Sequence, residues 1–439
     1  MSGDFRQVTV FPGGGETIGS TTAPMRHRDG PAGNAPGPTP PTVSWGLNSA
    51  LMSRLVSRLD QFPETIFATM TNLAVEKDAV NLGQGFPDED GPQSMLDEAV
   101  RQIRTGNNQY PPGRGFAGLR AAVATDRNES YGHSLDPDTE VLITVGATEA
   151  ISATVLALVE PGSEVIVIEP YYDAYAAAVA LAGAELVPVP LILDSASDSG
   201  WSLDHDALGA AVSSTTSMII INTPHNPTGH VFGDQDLETI ADLARRNDLV
   251  VLSDEVYEKL LYDGRRHSPI ALLPGMRERT VTVSSAAKCL NVTGWKTGWA
   301  MSTPELIDAV TKAKQFLTFV GVGHVQPAVA HALVNERAWI ADLRDDMQRR
   351  RDLLMDGLDR AGFDVKACAG GYFVIADATP FGVTDAAEFC TGDLIDRGVV
   401  GIPVSAFATS GNAGHLEPLV RFAFCKREEL IRDAIARLA

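Results

Sequence analysis

From about residue 140 the chain alternates short, almost wholly apolar runs with longer stretches of helical patterning, and this alternation constrains its fold more than any other feature. The runs are VLITV (141–145), EVIVI (164–168), SMIIIN (217–222), DLVVLSD (248–254) and TVTVSS (280–285). Near-continuous Val and Ile predict strands buried on both faces, and strands separated by helices predict a mostly parallel sheet covered by helices on both sides. Ligands of such sheets collect outside the carboxyl ends of the strands. The polar residues just after each run are therefore where chemistry is expected.

The predicted fold class is α/β, with a large domain (106–330) built on that sheet and a small α+β domain made from the N- and C-terminal parts (52–105 and 331–439). With 439 residues, 44% of them hydrophobic, the chain is long enough for two cores. A charged stretch, 335–362, reads as a helix leading into the C-terminal part, whose strand-like runs are GYFVIAD (371–377) and LVRFAFC (419–425). Residues 1–51 are rich in Gly, Pro, Ser and Thr and read either as a disordered extension or as sequence ahead of a true start at Met52. No apolar run approaches a membrane span and no signal-peptide pattern opens the chain, so a cytoplasmic protein is expected. A net charge of -21 argues against a nucleic-acid partner. Cys289, Cys368, Cys390 and Cys425 are too scattered to form a zinc set, and no metal is expected.

Gly146-Ala147-Thr148 follows the first run and opens a helical pattern, where free backbone N–H groups and a hydroxyl suit a phosphate. Alone, this reads as an ordinary helix cap, since a Gly with a Thr cap opens many helices. Asn222-Thr223-Pro224-His225-Asn226-Pro227-Thr228-Gly229 follows SMIII, and its two prolines and closing glycine present Asn226 rigidly at a strand end. Asp254 and Tyr257 follow LVVLS; a carboxylate beside apolar strands needs a cation, although an isolated Asp there would pass for an N-cap. Arg421 sits among apolar neighbours in LVRFAFC and needs an anion, either a substrate carboxylate or a buried Asp or Glu.

The most informative stretch is Ser284-Ser285-Ala286-Ala287-Lys288-Cys289-Leu290-Asn291-Val292-Thr293-Gly294-Trp295-Lys296-Thr297-Gly298-Trp299. Eight lysines stand against 27 arginines in the chain, so where a simple cation serves, arginine is the usual choice. Lys288, at a strand end among small residues, points to chemistry arginine cannot perform: an amine can lose its proton, attack an aldehyde and then shuttle a proton. Lys296 nearby would lower the pKa of Lys288 and could itself hold a phosphate.

Taken in order, these segments resemble the fold-type I, class I/II aminotransferases of the aspartate aminotransferase superfamily, from about residue 52 to the C-terminus. The resemblance implies a pyridoxal 5′-phosphate cofactor bound by Lys288 as a Schiff base, with Asp254 on the pyridinium nitrogen and Asn226 and Tyr257 on the ring oxygen. It implies a phosphate site of Ala147, Thr148, Ser285 and Lys296, and a stacking aromatic at Tyr172, in EPYYDAY. Arg421 matches the arginine for the substrate α-carboxylate, with Asn226 beside it. Gly85, in LGQGFPD, looks like the small residue that lets an N-terminal segment close over substrate. Tyr110, in NNQYPPGRG, resembles the tyrosine that reaches the partner subunit's phosphate, which implies a homodimer.

The implied activity is exchange of an amino group between an amino acid and a 2-oxo acid. GQGFPDEDGP, NQYPPG, SSAAK and RFAFCKR look closest to actinobacterial N-succinyldiaminopimelate aminotransferases of lysine biosynthesis, and next to kynurenine/glutamine transaminases. Lys296 stands where aspartate-specific members carry arginine. A cysteine-conjugate β-lyase would use the same lysine and cofactor. A DNA-binding regulator on this fold would need a module ahead of it, for which residues 1–50 are unsuited.

Overall fold

The computed structural model describes residues 56–60, 62, 66–197, 199–409 and 413–439. The expectations for residues 1–51 and for a start at Met52 fall outside this set. Among the described residues there are fourteen strands: β1 (Val80–Asn81), β2 (Val141–Val145), β3 (Glu164–Glu169), β4 (Glu185–Leu193), β5 (Trp201–Leu203), β6 (Thr216–Asn222), β7 (Val250–Asp254), β8 (Thr280–Ser285), β9 (Thr297–Met301), β10 (Asp364–Val365), β11 (Phe373–Asp377), β12 (Val399–Val400), β13 (Ile402–Pro403) and β14 (Leu419–Ala423).

Eight of them form one sheet in the order β2-β9-β8-β7-β6-β3-β4-β5. The central pairs, from β8 to β4, are parallel, whereas β9 runs antiparallel to both β2 and β8, and β5 antiparallel to β4. Side chains alternate across this sheet with a period of two. Ile166, Ile168, Ile219, Ile221 and Val251 lie in one buried cluster, and Val165, Val167, Met218, Ile220 and Leu252 in another. Both faces are dry, which is why the runs are apolar without alternation.

Besides the three-residue β5, two strands of the large sheet fall outside the predicted runs. β9 (TGWAM) is short and holds a glycine, and β4 (ELVPVPLIL) carries two prolines that ordinarily argue against a strand. β4 accommodates them because the edge strand β5 pairs with it only from Leu191 onward, so no second neighbour needs an N–H from Pro188 or Pro190.

A second, antiparallel sheet has the order β10-β11-β14-β13, and β1 pairs in parallel with β12. That pairing joins an N-terminal to a C-terminal segment: Met70, Val80 and Leu82 share a core with Phe373, Val399 and Phe422. The helix Gln93–Thr105 stands elsewhere, its Met95 and Ala99 packing with Leu119, Ile143 and Val329 beside the large sheet. The charged stretch forms the helix Arg337–Arg360. No helix among the described residues is long and apolar enough to cross a membrane.

Candidate active site

β2 runs into the helix Gly146–Leu158 without a loop. Gly146 has φ of +73°, and a Cβ there would meet Lys296 Cε at 3.2 Å. On β9, a Cβ at Gly298 would lie 2.5 Å from the Gly146 carbonyl carbon and 2.7 Å from the Ala147 nitrogen, so only glycine lets the helix start descend onto the sheet. The first N–H groups of this helix, those of Ala147 and Thr148 included, have no intrahelical acceptor and carry the positive end of the helix dipole. The Lys296 side chain lies against Gly146, at the helix start, and bridges no carboxylate among the described residues. Tyr172 lies near Thr148, and Ser285 is buried at the start of the next short helix, Ala286–Cys289. This corner is suited to an anion with several acceptor oxygens.

At the end of β7, Asp254 is 3% exposed and no cation bridges it among the described residues. Tyr175 Oη donates to its Oδ2 (2.7 Å) and the Val256 N–H to its Oδ1 (3.2 Å). Burial nevertheless pushes its carboxyl up to about 6, against the pull of these two donors. On the neighbouring strand, Asn222 Nδ2 donates to the Asp254 carbonyl (2.9 Å) while its Oδ1 accepts the Asn226 N–H (2.7 Å). One amide thus aligns the Asp254 strand with the Asn226 turn.

Asn226 Oδ1 in turn accepts from Arg421 (2.9 Å), which also donates to the Gly83 carbonyl (2.8 Å). Arg421 is 2% exposed, its Nε has no partner, and it pairs with no acid among the described residues. Its guanidinium carbon lies 3.8 Å from the ring centre of Phe373 and 4.5 Å from that of Phe407. Burial lowers its pKa to about 9. Of five guanidinium N–H groups, three remain to receive an anion.

Lys288 follows β8 in the helix Ala286–Cys289. Its amine donates to the Gly85 carbonyl (3.0 Å) and lies 5.5 and 5.2 Å from the ring centres of Tyr257 and Tyr372. The Tyr372 hydroxyl donates to the Lys288 carbonyl (2.7 Å) and so anchors its backbone. Burial, then the nearby Arg421 and Lys296, pulls the amine down to about 8, with Asp254 opposing. Gly85 is required for close packing as well, since a Cβ would sit 2.3 Å from Phe373 Cζ.

Behind these groups lies an ionic cluster with no sequence signature. Arg127 donates to Glu255 Oε2 (2.7 Å) and to Glu258; His267 Nε2 is 2.7 Å from Glu255 Oε2; Ser253 and Ser284 donate to the remaining carboxylate oxygens (both 2.9 Å). Glu255, Glu258 and His267 bring ligand-type atoms within 4.8 Å of one another, as a metal site would, but here Arg127 is the cation. Burial alone would raise Glu255; Arg127 and His267 hold it well below the carboxylate range. The turn so fastened carries Asp254 and Tyr257.

Lys288, Asp254, Tyr257, Asn226 and Arg421 are thus linked by direct contacts or shared neighbours, with Thr148, Tyr172, Ser285 and Lys296 at the helix start. Tyr110 stands apart: it is 81% exposed and meets Phe319 edge-on (5.5 Å). Sequence reasoning missed Tyr175, Asn222, Tyr372 and Arg127. Tyr175 had one available signal, lying three residues after Tyr172 in the first turn of the helix Ala174–Ala182.

A buried amine, a buried carboxylate and a cationic helix start, gathered along the carboxyl edge of one mostly parallel sheet without counter-ions among the described residues, are what the aminotransferase fold provides, and the chain is an enzyme of that class. It belongs to the family "Aminotransferase class I and II", whose model matches residues 77–438. It is 52% identical over 390 residues to the probable N-succinyldiaminopimelate aminotransferase of Mycobacterium tuberculosis, covering 88% of this chain and 98% of that protein. The structure of the M. tuberculosis enzyme matches with a TM-score of 0.85, covering 88% of this chain and all of the other (100%). The methionine aminotransferase of Escherichia coli is 35% identical, covering 87% of this chain and 97% of that one. Enzymes of this family generally depend on pyridoxal 5′-phosphate.

Proposed function

We propose that the chain is a cytoplasmic, homodimeric, pyridoxal 5′-phosphate-dependent aminotransferase that moves the amino group between N-succinyl-LL-2,6-diaminopimelate and 2-oxoglutarate/glutamate. The observation that carries the cofactor reading is the set of uncompensated groups. The amine of Lys288 complements an aldehyde, Asp254 a protonated ring nitrogen, and the helix start with Lys296 a phosphate.

When bound, the cofactor supplies an electron-accepting ring on which an amino group and an α-proton can be exchanged. Asp254 keeps a proton on the ring nitrogen, held in place by Tyr175 and Val256. Arg421 grips the substrate α-carboxylate with its free N–H groups and is itself aimed by Asn226 and the Gly83 carbonyl. Lys288 Nζ takes the proton from substrate Cα and delivers it onward, acting as base and then acid. An amine poised near pH 8 serves both directions.

In the cofactor-free protein, capture of the cofactor aldehyde should rise with pH to a midpoint at about 8, because the neutral amine is the nucleophile and burial depresses its pKa. Absorbance-monitored capture across the pH range checks this. A midpoint near an ordinary lysine value, roughly 10.4, would contradict it.

The substrate is supported by the 52% identity to the M. tuberculosis enzyme. A second reading, a methionine- or kynurenine-type donor, is favoured by the apolar groove lined by Phe62, Ile66, Phe67, Tyr171 and Phe407 and by relatives at about a third identity. Adding each donor without any oxo acid separates them: N-succinyldiaminopimelate should remove the visible absorbance of the loaded enzyme at least tenfold faster than methionine, kynurenine or glutamine. Faster bleaching by one of those replaces the proposed substrate. The homodimer is supported by an apolar patch of Tyr110 and Phe316–Phe319, with Phe316 85% exposed. A solution mass of one chain would remove that part.

A further inference from the structure

Glu169, the last residue of β3, is fully buried and unused by the chemistry above. Its Oε1 accepts the Thr409 N–H, its Oε2 has no partner, and it bridges no cation among the described residues. A carboxyl group in that setting is costly. Two further contacts tie the same segments together: the Tyr171 N–H donates to the Phe407 carbonyl (2.8 Å), and the Tyr171 and Thr409 hydroxyls share a hydrogen bond (3.2 Å). The three form a clip between the end of the β3 strand and residues 407–409.

What the clip holds is Phe407, the last residue of the short turn Val404–Phe407. Its ring centre lies 4.5 Å from the Arg421 guanidinium carbon, and its ring meets Phe67 edge-on at 5.8 Å. Phe373 lies closer, at 3.8 Å. Aromatic rings near a desolvated guanidinium replace part of its lost hydration and exclude water, which strengthens its attraction for a carboxylate.

We propose that Glu169 is a positioning residue for substrate binding: through Thr409 it holds Phe407 beside Arg421 and so sets the affinity of the carboxylate grip. The inference rests on the reading of Arg421 as the α-carboxylate site. It also predicts that Glu169 acts on the amino acid and the oxo acid alike, since both present the same carboxylate, and not on the proton transfers at Lys288.

The experiment is steady-state kinetics on the cofactor-loaded enzyme with Glu169→Leu, Glu169→Gln, Phe407→Leu, the Glu169→Leu/Phe407→Leu double variant and Arg421→Lys. Glu169→Leu should raise KM for both substrates about 5- to 20-fold with kcat changed less than about threefold. Glu169→Gln, which keeps an acceptor for Thr409, should stay within about twofold, and the double variant should be no worse than Phe407→Leu alone. Unchanged KM in Glu169→Leu, or additive losses in the double variant, overturn the proposal. Intact affinity in Arg421→Lys would instead overturn the reading of Arg421. If Glu169→Leu does not fold, Tyr171→Phe, which removes only the hydroxyl contact to Thr409, should raise KM about two- to fivefold at constant kcat, and an unchanged KM there overturns the proposal equally.

Discussion

Replacing Lys288 with alanine is expected to lower kcat by at least about 10³-fold while leaving the fold intact. The amine's hydrogen bond within the chain goes to the Gly85 carbonyl, and no carboxylate bridges it among the described residues. Its removal leaves no buried ion without a partner, and takes away a buried cation. Thermal unfolding of Lys288→Ala should therefore match the parent protein when both are free of cofactor. Lys288→Arg should fail as completely in turnover, because a guanidinium cannot supply a neutral amine at accessible pH. Turnover retained by either variant would overturn the assignment of Lys288.

Arg127→Met should have the opposite profile, a loss of stability in a residue that touches no substrate. It leaves Glu255 and Glu258 facing each other in a buried site with His267 and, for Glu258, Lys259 to offset them, and removing one partner of such a network costs about 3–5 kcal/mol. The pH response distinguishes this mechanism from simple loss of packing. In the parent, both carboxylates are held below their ordinary pKa. Their contribution is complete above the unfolded value, about 4.3, and is lost as pH falls through the depressed folded values. Without Arg127 the folded pKa values rise, so the variant should regain stability relative to the parent as pH is lowered from 7 toward 5. Melting curves at the two pH values check this, and an equal deficit at both would show that the charge of Arg127 is not what matters.

The position of Arg127 was not legible in the sequence because its partners lie 128 and 131 residues away and nothing in its own helix marks it as special. The same holds for Tyr372, which grips the Lys288 backbone from 84 residues away, and for Glu169 and Thr409, separated by 240. In each case the residue type is ordinary, and only the partner makes it informative.

Residues that end or closely follow an apolar run were a different matter. Asp254 and Asn226 could be singled out because a sheet buried on both faces exposes its carboxyl edge, so a polar group there is either a cap or part of a site. Lys288 stood out because an amine was used in a chain that prefers guanidinium. The sequence by itself thus determined the α/β class, most of the central strands, and the residue types gathered at their ends, since these follow from local patterning and the period of a strand. Only the tertiary structure decided that β9 runs antiparallel within the sheet, that Arg421 is aimed by Asn226 and finds no acid among the described residues, and that Arg127 balances two buried carboxylates. Those outcomes depend on which distant side chains share a dry space, where a charge without a partner is costly and a local pattern carries no information about who the partner is.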